Sequence, residues 1–293
     1  MTDAVAPALV ARERSENRFL ATARKLLRHK IGMTGLVIIL IIIICAAAAP
    51  LLAPYDPAEI DYENMTTAPS WAHPLGTDEI GRDILSRLIY GAQVSLKVVF
   101  VSIIISLVIG GTIGLISGYA GGRTDNIIMR IMDALLAFPM LILALGIITV
   151  LGPSLINAIL ALAIVNVPGF ARLVRGQTLS IRELDFVQAA RAIGASDIRI
   201  MVRHVWPSVA GNVIVYASLR ASAVLIAESS LAFLGLGAEP PTPTWGQMLA
   251  IAMEYWSAWW MSVFPGLAIF LAALAFNFFG DGVRDVMDVR LSD

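Results

Sequence analysis

The chain has 293 residues, 58% hydrophobic and 15% charged, with a net charge of -1 and a mean hydropathy of +0.78. A soluble domain averages about 45–50% apolar and about 25% charged, so the departure is toward lipid; disorder, collagen, coiled coil and a basic field for nucleic acid are excluded. One cysteine, Cys45, leaves no internal disulfide or cysteine zinc cluster, and His29, His73 and His204 lie too far apart in sequence to give a ligand spacing.

A helix needs about 20 mainly apolar residues to cross about 30 Å of hydrocarbon. A basic lead over 1–30 carries Arg12, Arg14, Arg18, Arg24, Lys25, Arg28 and Lys30. Residues 31–55 then hold no Asp, Glu, Lys or Arg, which predicts the first span. The basic lead and the alanines 46–49 can mimic a cleaved secretory signal; the length of the lead and the uncharged run on to Tyr55 favour a retained helix. Residues 56–91 form a connecting segment with seven acids against Arg82 and Arg87. Within it, Thr77-Asp78-Glu79-Ile80 reads as a helix start, with a Thr cap and acids in the first turn. The predicted element is a short amphipathic helix, with Ile80, Ile84 and Leu88 on one face, leading into the second span.

The uncharged run 98–122 places the second span near 96–119, where Gly110, Gly114, Gly118 and Gly122 recur every fourth residue and offer a strip for close helix approach. The run 134–171 is too long for one crossing, and Leu151-Gly152-Pro153-Ser154 is a turn signal inside it. It divides into spans near 131–150 and 154–171. A fifth span near 213–235 contains Arg220 and Glu228, and a sixth lies near 261–281, followed by a tail over 282–293. Pro139, Pro168 and Pro265 fall in or beside spans. Broken helices lining a cavity and simple packing kinks both account for them.

Lys and Arg set the orientation. They crowd the lead, the connection at Arg123 and Arg130, the loop with Arg172, Arg175, Arg182, Arg191, Arg199 and Arg203, and the tail with Arg284 and Arg290. Residues 236–260 hold no Lys or Arg, and Trp245, Tyr255, Trp256, Trp259 and Trp260 gather there as an aromatic belt. The expected fold is thus an all-α membrane protein of six transmembrane helices with both termini cytoplasmic and the 56–91 segment on the far side.

Enzymatic motifs are missing from the sequence. The only lysines are Lys25, Lys30 and Lys97, and none follows a Gly-x-x-x-x-Gly, so the chain cannot cradle ATP in a P-loop. No His-Glu-x-x-His and no Gly-x-Ser-x-Gly occurs, and Asp133, Arg220 and Glu228 have no histidine or second carboxylate nearby in sequence for acid–base work. The informative stretch is the loop 172–208. Residues 183–193 read as a short helix with small alanines at its contact face, and Gly194 suits the left-handed stop that ends it. Ser196 or Asp197 caps a second helix over 198–205, bounded by Pro207. A solvated basic loop explains the arginines, but not the small-residue pattern.

This loop is similar to the signature of binding-protein-dependent ABC importer permeases: Glu-Ala-Ala, three residues, Gly, nine residues, Ile-x-Leu-Pro. Ala189, Ala190, Gly194 and Pro207 match with both intervals kept, while Gln188, His204 and Trp206 depart from it. His73-Pro74-Leu75-Gly76-Thr77-Asp78, Gly81-Arg82-Asp83, Ala137-Phe138-Pro139, and Glu228-Ser229-Ser230 through Trp245-Gly246 resemble the second permease subunit of dipeptide, oligopeptide and nickel importers. The resemblance covers roughly residues 24–290. It implies the type I ABC importer membrane fold in a bacterial inner membrane, with a core over 92–281. It implies a second homologous permease, two cytosolic P-loop ATPase subunits that bind the ATP and Mg, and a periplasmic or lipid-anchored solute-binding protein as partners. The loop 183–207 would be the coupling helix seated in the ATPase, with Gln188, Ala189, Ala190, Arg191, Gly194 and Pro207 as its residues. Di- or oligopeptides are the implied cargo; nickel, glutathione or another small solute, or an ion-coupled secondary transporter, are the alternatives. Arg220 and Glu228, eight apart, are pathway or gate residues, a packing charge pair, or an arginine that snorkels inward.

Overall fold

The computed structural model describes residues 25–288. The lead up to residue 24 and residues 289–293 of the tail lie outside it. The described residues are helical with irregular connections, and five helices are long and apolar enough to cross a membrane. A sixth crossing arises if one bent pair counts as a span.

The first span begins at α1, Lys30–Ala47, and ends in a short α2, Ala49–Leu52, with Pro50 in its first turn. His29 starts it: its Nδ1 accepts the Gly32 amide at 3.1 Å, while its Nε2 faces Asp285 at 3.2 Å. The second span is much longer than the uncharged run. Helix α3, Ile84–Ala120, has 37 residues and is thus about 55 Å long at about 1.5 Å per residue. The expected Thr77 cap does not form. Asp83 caps α3 instead, its Oδ2 accepting the Ser86 amide and hydroxyl, each at 2.7 Å.

Residues 53–83 are not an amphipathic helix but a folded strap over the α3 N-terminus, with only a 3-10 turn at Tyr62–Asn64. The reason is competition for side chains. The Thr77 hydroxyl donates to the Asn64 carbonyl at 2.5 Å and accepts the Thr67 amide at 2.8 Å, so it is not available as a cap. Asp78 turns back on its own chain: Oδ1 accepts the Ile80 and Arg82 amides, and Oδ2 binds the Arg82 Nε at 2.6 Å and lies 3.4 Å from the Arg87 Nε. Arg87, 1% exposed, also donates to the Pro57 carbonyl at 2.9 Å. His73, stacked on Tyr55, sits 3.0 Å from Asp83 and completes the knot. Glu79 pairs with Arg82 at 2.7 Å, and burial together with the Asp78 charge pushes its carboxyl above the usual carboxylate range. Lowering the pH through that range therefore favours the folded strap at Glu79, because the folded state holds this proton more tightly than the unfolded chain.

The expected third span is broken. Helix α4, Gly122–Leu136, is amphipathic, and α5, Met140–Leu151, meets it at 90°. Pro139, which cannot donate an amide, stands at the bend as the N-cap of α5. The turn signal at 151–154 holds: Asn157 Nδ2 donates to the Leu151 and Gly152 carbonyls, and Ser154 caps α6, Leu155–Ile181. Helix α6 runs ten residues past the expected limit of 171.

The α3–α6 contact is the spine of the core, built on the glycine strip. A Cβ at Gly110 would come within 2.5 Å of the Val167 carbonyl, one at Gly118 within 2.8 Å of the Arg175 carbonyl, and one at Gly114 would strike the Ala171 carbonyl. Gly122, the fourth member, has nothing within 4 Å and lies outside the contact. Between these backbones Ser106 donates to the Ala163 carbonyl at 2.8 Å and Ser102 to that of Ile159 at 3.1 Å. Such hydrogen bonds satisfy hydroxyls that lipid cannot. Gly114→Val should therefore cost about 1–3 kcal/mol from overpacking alone, seen as loss of folded protein on detergent extraction, with Gly176→Val, on the exposed face of α6 where a Cβ meets nothing within 4 Å, as the control.

The last spans close the bundle. After loop helices α7, Asp185–Ala192, and α8, Asp197–Ile200, helix α9 covers Trp206–Phe233. Pro207 does not bound a helix. A π turn over Met201–Val205 joins α8 to α9, and the Trp206 amide reaches the Met201 carbonyl. This wider turn absorbs the amide that proline lacks, so helix continues from Asp197 to Phe233. A short α10, Trp245–Ala252, capped by Thr244, and a long α11, Trp259–Asp288, complete the chain. Helix α11 packs on α1, where Gly32 faces Gly282, and on α9.

Candidate functional site

Helices α7 and α8 project beyond the end of α3, away from the strap. Each residue of the sequence motif has a distinct place. Val187, Ala190 and Ile200 are buried and fasten the projection to the bundle core. Gln188, Ala189, Arg191 and Gly194 are exposed, and so is Pro207. Gln188 is not idle: its Nε2 donates to the Arg182 carbonyl at 3.0 Å, bracing α7 against the end of α6. A glutamate there would lack that donor.

Gly194 ends α7 with φ +80°. The Gly194 amide bonds the Arg191 carbonyl at 3.0 Å and the Ala195 amide reaches back to Ala190 at 3.1 Å, a closing pattern that needs the left-handed residue. A Cβ at Gly194 would meet nothing within 4 Å. The glycine is thus required by backbone conformation here, while the space beside it is open.

The sequence reading missed the apolar residues of this tip. Ile193 is 86% exposed and Ile198 72%, flanking Gly194, with Phe186 and Leu184 also exposed nearby. The available signal was an isoleucine on each side of a glycine turn within a charged loop, where solvation alone calls for polar residues. Arg191 is held inward instead: its guanidinium lies over the Tyr119 ring, 5.5 Å from the centroid, with Nη2 3.3 Å from the Tyr119 hydroxyl. That hydroxyl donates to Asp197 Oδ1 at 2.7 Å. At the same end of the bundle, Arg175 forks onto Asp125 at 2.5 and 2.6 Å, and Arg182 donates to the Gly118 carbonyl at 2.8 Å.

The second pair of predicted residues lies in α9. Arg220 and Glu228 do not pair, being two turns or about 12 Å apart along the helix. Arg220 Nε donates to the Tyr216 hydroxyl at 2.8 Å and stacks over that ring, whose edge meets Phe170 of α6. Glu228 is 3% exposed and faces α3, where the Ser95 hydroxyl donates to Oε2 at 3.1 Å. The next carbonyl, that of Ser229, touches Gly246 of α10, and the neighbouring Trp245 indole donates to the Leu88 carbonyl at 2.9 Å. Helix α10 thus caps the α3–α9 contact directly over Glu228. Among the described residues no three His, Cys, Asp or Glu side chains gather as metal ligands.

A bundle of spanning helices carrying a projecting helix–glycine–helix element defines a multi-pass membrane protein. The chain belongs to the family described as binding-protein-dependent transport system inner membrane component, matched over residues 110–293. Residues 19–69 match the N-terminal transmembrane domain of oligopeptide transport permease C. The chain is 44% identical to the dipeptide transport system permease protein DppC of Alkalihalophilus pseudofirmus, over 92% of this chain and 88% of that protein. It is 43% identical to the glutathione transport system permease protein GsiD of Pectobacterium atrosepticum, over 92% and 90%. To the di/tripeptide permease DppC of Pseudomonas aeruginosa it is 44% identical, over 90% of both. In fold it is similar to a chain of the inward-facing MetNI methionine ABC transporter, with TM-score 0.56, 23% identity and coverage of 69% of this chain and 97% of that one. The protein is therefore a multi-pass permease subunit of an ABC importer in a bacterial inner membrane. The ATP and Mg are bound by the ATPase subunits that the family works with, and family membership implies a paired permease and a solute-binding protein as well.

Proposed function

We propose that this permease imports short peptides, of two or three residues, handed to it by a solute-binding protein, and that α7 and α8 seat in a cytosolic ATPase. The observation that carries the docking reading is the tip itself: Ile193 and Ile198 stand exposed beside Gly194 while Val187, Ala190 and Ile200 anchor the same helices. An apolar tip on a stiff base is what a lever needs, because a loose contact transmits no work. The arginines of this loop support a cytoplasmic position for it and for both termini. The strap over 53–83 and helix α10 then face the periplasm.

The cargo rests on the names of the relatives. Dipeptide, di/tripeptide and glutathione permeases stand at 43–44% identity. Glutathione is itself a tripeptide, so it is the second reading. Uptake by the assembled complex, with a labelled dipeptide competed by tripeptides, glutathione and nickel, tests it: competition by peptides supports the reading, and competition by nickel alone overturns it.

Glu228 and Arg220 are proposed to act at the translocation path, with Glu228 under α10 as part of an outer gate. Glu228→Gln keeps an acceptor for Ser95 but removes the charge. The expected result is intact assembly and a severalfold fall in uptake; unchanged uptake would leave Glu228 as a packing residue.

A further inference from the structure

Tyr119 has no part in the sequence motif, yet two elements of the projection meet on its hydroxyl. It accepts from Arg191, in the last turn of α7, and donates to Asp197, the first residue of α8. Tyr119 itself belongs to the last turn of α3. The chain connects the projection to α6 through residues 182–184 and to α9 through the π turn. It makes no such connection to α3, the longest helix of the bundle. Arg182 holds α6 to the same turn of α3 through the Gly118 carbonyl, but it acts below the projection.

We infer that Tyr119 is a positioning residue that transmits movement of the α7–α8 projection to α3. A tyrosine suits this role. Its ring is rigid, its hydroxyl both donates and accepts, and the guanidinium over its face adds a second attachment. Pushing on α7 or α8 then displaces the end of α3, and the glycine spine passes that displacement to α6 as a unit. Without the hydroxyl, the projection would still seat in its partner and still swing α6 and α9. Helix α3 would lag. The inference rests on the reading of the projection as the ATPase seat.

The test is the complete transporter reconstituted in proteoliposomes. ATP hydrolysis and uptake of a radiolabelled dipeptide are measured together, with radiolabelled glutathione as a second probe. Tyr119→Phe should leave ATPase co-purification and ATP hydrolysis near those of the unmodified complex, and lower solute moved per ATP by about fivefold, the effect of losing the 2.7 Å bond to Asp197 while the Arg191 guanidinium stays over the ring. Asp197→Ala should do the same, and the double variant should be no worse than either single, because one link is cut in all three. An unchanged ratio in Tyr119→Phe overturns the inference. So does a parallel loss of co-purification, hydrolysis and uptake, which would mark a merely structural residue. Ile193→Asp separates the two readings: if the ATPase still co-purifies and uptake persists with an aspartate at the tip, the seat itself is wrong, whatever Tyr119 does.

Discussion

Replacing Gly194 with valine should reduce uptake by the assembled transporter by about tenfold or more, while the isolated subunit remains folded. The left-handed backbone at φ +80° costs an ordinary L-residue about 1–2 kcal/mol, and a β-branched one more. That cost falls on a surface turn with open space beside it, so the membrane core does not feel it. The turn does: relaxing φ breaks the Ala195-to-Ala190 closure and rotates Ile198 relative to Ile193, so the two apolar residues of the tip no longer present one surface. A fall of 1.36 kcal/mol in the stability of a productive seat is a tenfold loss of flux. Gly194→Ala, which carries the backbone cost without the branched side chain, should lie between the two. The measurement is uptake alongside ATPase co-purification, and undiminished uptake with normal assembly rejects the lever.

The helix–glycine–helix projection was legible in sequence because its requirements are local. Ala189, Ala190 and Gly194 lie within one short segment, and left-handed termination of a short helix is written in a single residue type. The spans were legible for a similar reason: hydrocarbon forbids charge over some twenty residues, and the uncharged runs mark α1, α3, α6 and α11 directly. The glycine strip was legible at Gly110, Gly114 and Gly118 because spacing by four puts them on one face.

What was hidden depended on partners distant in the chain. The α3 start moved from Thr77 to Ile84 because Asn64 and Thr67 claim the Thr77 hydroxyl and Arg87 draws on Asp78. The Arg191 contact was hidden for the same reason, since its neighbour Tyr119 lies 72 positions earlier. Pro207 looked like a boundary, since a proline interrupts a regular α-helix. The π turn before it supplies the slack that the sequence does not advertise. The bend between α4 and α5 was half visible. Pro139 signalled a break, but the amphipathic helix Gly122–Leu136 ahead of it overlaps the start of the expected span near 131–150.

Removing the Asp78 carboxylate should be the most destabilising single change outside the spans. Asp78 is 5% exposed and serves two guanidinium groups, Arg82 and Arg87, that are 7% and 1% exposed. Breaking a buried ion pair from one side costs about 3–5 kcal/mol, because the charge left behind has no water to return to. Arg82 keeps Glu79, so the burden falls on Arg87, which keeps its hydrogen bond to the Pro57 carbonyl but loses its carboxylate. Asp78→Ala should therefore lower the melting temperature of the purified subunit and open residues 53–83 to protease before the helices unfold. The same logic yields a rescue. Exchanging a buried ion pair for apolar groups of similar volume is often neutral or stabilising, so Asp78→Asn combined with Arg87→Met should recover most of what Asp78→Asn loses. Asn keeps an acceptor for the Ile80 and Arg82 amides, and Met fills the space beside Met248 and Met261 that the arginine stem occupies. If the double variant is no more stable than Asp78→Asn alone, the strap is held by the backbone turns of Asp78 and not by its charge.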